Sequence, residues 1–105
     1  MTSPSLSTRA RAHLRSLAHH LEPVVQIGGE GLTPGVEEAV RTALFDHELI
    51  KVRIGQSYEG DRKELARELA EHVEADLTQI IGRVVILYRP RSKDLPGRPR
   101  LVLPA

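Results

Sequence analysis

Gly28-Gly29-Glu30-Gly31 is the segment of this sequence whose residue types and spacing best fit a chemical task. It follows a short apolar run, Val24-Val25-Gln26-Ile27, and leads into Leu32-Thr33-Pro34-Gly35, which reads as a helix start. The glycines therefore fall in a strand-to-helix turn. There, bare backbone N–H groups and the positive end of a helix dipole can meet a phosphate. A GxxG loop in this position is how some RNA-binding modules clamp a nucleotide backbone. A tight turn that needs positive φ and nothing more is the commoner use of such glycines, and the tetrapeptide alone does not choose between the two.

Other residues could join the loop. Lys51 and Arg53 offer charge on a strand, Arg9, Arg11 and Arg15 on the first helix, and Arg83 at a hairpin tip. Singly, each reads as a solvated surface cation. Converging on one side, they would make a phosphate track. The aromatics are few: Phe45 and Tyr88 read as core, and Tyr58, in a loop, is the candidate stacking platform. So few exposed rings argue against reading single-stranded bases mainly by stacking, and for recognition of backbone shape.

Catalysis has little support. No serine elbow, HExxH or Walker A pattern occurs. His19 and His20 are adjacent, so on a helix they point about 100° apart and cannot easily share a metal. All five histidines read as solvated or helix-end residues, and Glu37-Glu38 as a solvated helix face. No catalytic residue, metal ligand, cofactor or small-molecule substrate is expected. An enzyme would need a cleft holding a titratable group with a shifted pKa.

The chain has 105 residues, enough for one domain with a modest core. It has no cysteine, which excludes disulfides, thiolate nucleophiles and cysteine-based zinc sites. No apolar run approaches the roughly 20 residues of a membrane span, and no signal-peptide core is present, so a cytoplasmic protein without membrane contact is expected. Net charge is only +1, but it is unevenly spread. Residues 1–21 hold three arginines and no acid, and residues 91–105 hold Arg91, Lys93, Arg98 and Arg100 against Asp94. The middle carries eight bases against thirteen acids, most of the acids on two predicted helices. A local patch, rather than net charge, attracts a polyanion.

These residues must be positioned by a short list of elements. Residues 1–4 read as disordered. Apolar spacings of three and four from Leu6 to Leu21 predict a helix over Ser7–His20, capped by Ser5 or Ser7, with its three arginines solvated. Val24–Ile27 reads as a strand. Thr33 as N-cap and Pro34 at the first helical position start a second helix that ends near His47. Glu48–Ile54 alternates, with Ile50, Val52 and Ile54 facing one way and Leu49, Lys51 and Arg53 the other. A third helix over Asp61–Ala75 turns Leu65, Leu69 and Val73 inward. Gly82-Arg83 separates strands at Thr78–Ile81 and Val84–Arg89, and the apolar run of the latter suits a central strand. The order α-β-α-β-α-β-β predicts one α/β domain over residues 5–90, with three helices and a four-stranded mixed sheet. Residues 91–105 read as a basic, proline-rich, mobile tail, in which Leu101-Val102-Leu103 could dock.

Four ordered segments carry a resemblance. Leu21–Gly28 followed by Gly31-Leu32-Thr33, then His47–Val52, Ile81-Gly82-Arg83 and Val85–Pro90, resemble the CRM domain (chloroplast RNA splicing and ribosome maturation), whose bacterial single-domain members are the YhbY-like proteins. The likeness spans roughly Leu14 to Pro90. It implies a fold like that of the C-terminal domain of bacterial translation initiation factor three. It also implies RNA binding through Gly28, Gly29, Glu30 and Gly31 with Lys51, Arg83 and the neighbouring basic surface. For bacterial members it implies ribosomal RNA of the large-subunit precursor as partner during ribosome assembly. A monomer is expected. Glu30 departs from the family habit of a basic or amide residue between the outer glycines, and a carboxylate beside phosphate is repulsive unless it points away or pairs with a base. The alternative is a protein-interaction module that docks on a ribosomal protein or assembly factor through its acidic helices.

Overall fold

Helix starts are set by side chains that satisfy free backbone N–H groups. In the computed structural model, which describes residues 6–91, 96–97 and 100–104, three such caps are formed. The Ala10 N–H donates to Ser7 Oγ at the head of α1 (Thr8–Ala18). The Val36 N–H donates to Thr33 Oγ1 ahead of Pro34 in α2 (Pro34–His47). The Lys63 and Glu64 N–H groups donate to Asp61 Oδ1 ahead of α3 (Arg62–His72). The expected disorder of residues 1–4, Ser5 as the other possible cap, and Lys93 and Arg98 of the tail lie outside the described residues. Two helices end earlier than predicted: α1 runs out at Ala18, and α3 stops at His72, just before Glu74 takes φ 56°.

The strands are β1 (Pro23–Ile27), β2 (Leu49–Ile54), β3 (Asp76–Ile81) and β4 (Val84–Tyr88), in the order β1-β2-β4-β3. β1 is parallel to β2, and β4 is antiparallel to both of its neighbours. The sheet is mixed, and the apolar β4 is central, as its composition predicts. Gly82, at φ 57°, supplies the left-handed residue that the two-residue hairpin turn needs.

The alternation of β2 decides what each face does. Ile50, Val52 and Ile54 join Ile27, Val85 and Leu87 under α2 and α3, forming the main core. Full burial of each such side chain contributes about 1.5–3 kcal/mol. On the other face, Leu14 and Ala18 of α1 pack on Leu49, Ile86 and Tyr88. Phe45 departs from expectation and is 58% exposed. It lies one residue beyond the Val36-Val40-Leu44 stripe, about 100° round the helix, facing out.

The expected mobile tail is corrected in part. Leu101 and Leu103 pack on the α1-side cluster. Arg91 is buried: its Nη1 donates to the Phe45 and Asp46 carbonyls at the end of α2, at 2.7 and 2.9 Å. The Glu48 carboxylate, 1% exposed, accepts from the Arg91 backbone N–H at 2.7 Å and the Leu101 N–H at 2.6 Å, and faces the Arg91 guanidinium at 3.9 Å. A buried carboxylate needs such partners, and supplying them draws the chain back across the sheet. Glu48 itself holds φ 65°, a conformation that costs a non-glycine residue about 1–3 kcal/mol and persists where contacts over-determine it. Arg91→Ala should therefore lower unfolding free energy by about 3–5 kcal/mol in urea titration, since one partner of a buried pair is removed.

Glu37 is likewise not simply solvated. Its carboxylate bridges α2 to α3 by meeting His72 Nδ1 at 2.6 Å, with Arg41 3.6 Å away. The hydrogen bond to Glu37, helped by the charges of Glu37, Glu68 and Glu71, raises the His72 pKa above 6.5 against some desolvation. A raised folded pKa stabilises the fold fully below pH 6.5, and that gain disappears as pH rises through the folded value. Comparing His72→Gln with the wild type by urea midpoint at pH 5.5 and 8.5 should give a gap that narrows at the higher pH.

Candidate nucleic-acid interface

The glycine loop is built against a second glycine loop. β1 and β2 run parallel to the same end of the sheet, where Ile27 pairs with Ile54. Beyond them, the Gly55 N–H donates to the Ile27 carbonyl at 2.8 Å. Gly55 can do this because it has no side chain: a Cβ there would lie 3.0 Å from that carbonyl oxygen. Residues 28–31 then form a tight turn closed by Gly31 N–H to Gly28 C=O at 3.1 Å.

The three glycines of that turn are not equivalent. Gly31 has φ 74° and packs on the Tyr58 ring, so the fold demands it. Gly29 faces Ser57, whose carbonyl oxygen would lie 3.1 Å from a Cβ. Gly28 has nothing within 4 Å of a would-be Cβ and no positive φ. The turn's geometry therefore accounts for two glycines and leaves the third facing open space. Gly29 and Glu30 are exposed and make no hydrogen bond among the described residues, so their N–H groups are open to a ligand, and the Glu30 carboxylate forms no ion pair among the described residues. Tyr58 is corrected as a stacking platform: it is half-buried, wedged between the glycine turn and the core.

The candidate cations separate into two groups. Arg83 donates from Nη1 to the Gly55 carbonyl at 2.8 Å, and its own carbonyl accepts from the Ile54 N–H at 2.7 Å. The hairpin tip is thus tied to the base of the glycine loops. Arg53 pairs in register with Gln26, two residues before the loop, and is exposed. Lys51 stands one step further down the same face, half-buried. Neither Lys51 nor Arg53 forms an ion pair among the described residues.

The first-helix arginines are elsewhere. α1 crosses the end of the sheet that bears Leu49, Tyr88 and Asp76, opposite the hairpin. Arg11 is not free, though still part-exposed: it forms a two-pronged ion pair with Asp76 at 2.8 and 3.1 Å, and Asp76 is 4% exposed. Arg9 and Arg15 are exposed on that same helix. The structure therefore gathers Gly28–Gly31, Arg53 and Arg83 at one end, with Lys51 just behind, and leaves Arg9, Arg11 and Arg15 on the helix at the other. The contribution of Gly55 and Ser57 was missed in the sequence. The signal was available in the Gly55–Gly60 loop, but only the parallel register shows that it meets the first.

Comparison with known proteins agrees with this architecture. The CRS1 / YhbY (CRM) domain family matches residues 6–89, through all of α1. A Haemophilus influenzae RNA-binding protein is 38% identical over 96 residues, which cover 91% of this chain and 97% of the relative. The Bacillus subtilis protein named Probable RNA-binding protein YqeI is 36% identical over 89 residues, covering 85% and 93%. The solution structure of a Staphylococcus aureus protein described as an RNA-binding candidate superposes with a TM-score of 0.77 at 34% identity, covering 95% of this chain and 100% of that one.

The loop geometry gives a stability prediction. Gly28→Ala should stay within about 0.5 kcal/mol of the wild type, as an exposed unencumbered site does. Gly55→Ala should cost about 1–3 kcal/mol, because the Ile27 carbonyl must move aside. Urea denaturation of both variants measures the difference.

Proposed function

The chain belongs to the CRS1/YhbY (CRM) domain family, and on that premise we propose that it binds RNA without catalysis, at the end of the sheet where the two glycine loops meet. One observation carries this reading. The Gly28–Gly31 turn presents unbonded N–H groups and an open Gly28, with Arg53 and Arg83 anchored beside it by strand register and by the Gly55 carbonyl. Phosphate oxygens need such donors, and the missing Cβ at Gly28 lets a backbone approach closely. Arg53, Arg83 and Lys51 supply charge that the loop itself lacks.

The target proposed is ribosomal RNA of the large-subunit precursor, bound by a cytoplasmic monomer during assembly. This finer reading rests on the family resemblance. The relatives' names support RNA as the ligand class. No helix among the described residues is long and apolar enough to cross a membrane.

Binding should be salt-dependent with weak sequence preference. With three side-chain cations engaged, a plot of log affinity against log salt should have a slope of about −2 to −3. Mobility-shift titration of a structured ribosomal RNA fragment from 50 to 300 mM salt checks this. A flat profile, or no binding at low salt, contradicts it. The Glu30 carboxylate lies inside the loop, so Glu30→Lys should tighten binding roughly threefold to tenfold in the same assay at low salt. Unchanged affinity would mean that the loop does not face the phosphates.

A further inference from the structure

α1 and the docked tail cover only the far end of their face of the sheet, and the uncovered end holds one complete cross-strand row. Gln26 pairs with Arg53, Arg53 with Val84, and Val84 with Ile81, so the row runs across all four strands. Their neighbours Ile27, Ile54, Val85 and Ile80 point into the opposite core, so these four side chains share the α1 face. Gln26, Arg53 and Ile81 are exposed, Ile81 by 57%, and Val84 is half-buried. Neither the Gln26 amide nor the Arg53 guanidinium makes a hydrogen bond among the described residues. Three interstrand spacings of about 4.8 Å make the row roughly 14 Å long.

The geometry points to a second contact: this row receives the bases of a short unpaired RNA segment that flanks the structured element held by the glycine loops. The inference rests on the RNA-binding reading above and adds what the partner must carry. The chemistry of the row favours bases over a bare phosphate chain. Ile81 and Val84 form an aliphatic floor with no charge. The Arg53 guanidinium plane can stack on a base, and the Gln26 amide offers both a donor and an acceptor to a base edge. The row has no carboxylate, and it is flanked by Arg83 and Lys51, which suits a polyanion that leaves the adjoining loop. Glu22 lies at the foot of the groove along β1 that Arg53 and Gln26 also line, so phosphates are repelled from a path down that edge and directed across the strands. With no aromatic ring in the row, base contact here is aliphatic packing, stacking on the Arg53 guanidinium and hydrogen bonding.

The test compares three RNAs by fluorescence anisotropy with the full chain at low salt: a blunt RNA hairpin, the same hairpin with a four-nucleotide unpaired flank, and that flank made abasic. The flanked hairpin should bind at least tenfold tighter than the blunt one, and the abasic flank should recover little of that gain. Gln26→Ala and Ile81→Ser should bind the blunt hairpin like the wild type, which also reports that they are folded, and should lose most of the flank preference. Equal binding of blunt and flanked hairpins, a full gain from the abasic flank, or variants that keep the preference would overturn the inference while leaving RNA binding at the loops intact. Wild-type protein that binds none of the three would overturn both.

Discussion

The parallel pairing of β1 with β2 is the constraint on which the rest of this structure depends. Two parallel neighbours cannot be joined by a tight turn, so α2 must cross over between them, and its cap at Thr33 must follow directly on the glycine turn. The same pairing makes both strands end at one edge of the sheet. The loops that leave them are then forced into contact, and the Gly55 N–H to Ile27 carbonyl bond locks them together. Gly29, Gly31 and Gly55 are glycines because of that contact. Gly28 is the one whose freedom the contact does not use.

The second consequence is one of size. Strands of five or six residues span about 17–20 Å, whereas a helix with its side chains is about 10–12 Å across. Two helices cover one face, but α1 alone cannot cover the other. It lies over the Leu49-Tyr88 end, where Arg11 fastens it to Asp76, and the returning Leu101 and Leu103 extend that cover. The uncovered half is the half beside the glycine loops. Scaffold and proposed binding surface are thus divided, with the buried Glu48–Arg91 pair on the scaffold side and Arg53 and Arg83 on the other.

Much of this was legible in the sequence, because the signals were local. Thr33-Pro34, the alternation from Leu49 to Ile54, the apolar β4 and the Gly82-Arg83 turn each carry their meaning within a few residues. The two-faced character of β2, one side apolar and one side turning basic, follows from period two alone. What was not legible depends on partners far along the chain. Nothing near Arg11 announces Asp76, and nothing near Arg91 announces Glu48, so Arg11 reads as solvated charge and Arg91 as part of a mobile basic tail. Phe45 and Tyr58 depart from expectation for the same reason: the stripe that α2 buries excludes Phe45, while the glycine turn closes over Tyr58. The row from Gln26 to Ile81 needs the register of all four strands before it exists at all.

Amide chemical-shift mapping by NMR, with a structured ribosomal RNA fragment titrated into the labelled protein, tests the central claim most directly. The account predicts that the largest shifts cluster at Gly28–Gly31, Gly55–Ser57 and Gly82-Arg83, with the acidic outer side of α3 at Glu64, Glu68 and Glu71 unmoved. Shifts confined to that acidic helix, or to α1 around Arg9 and Arg15 with the glycine loops silent, would contradict it.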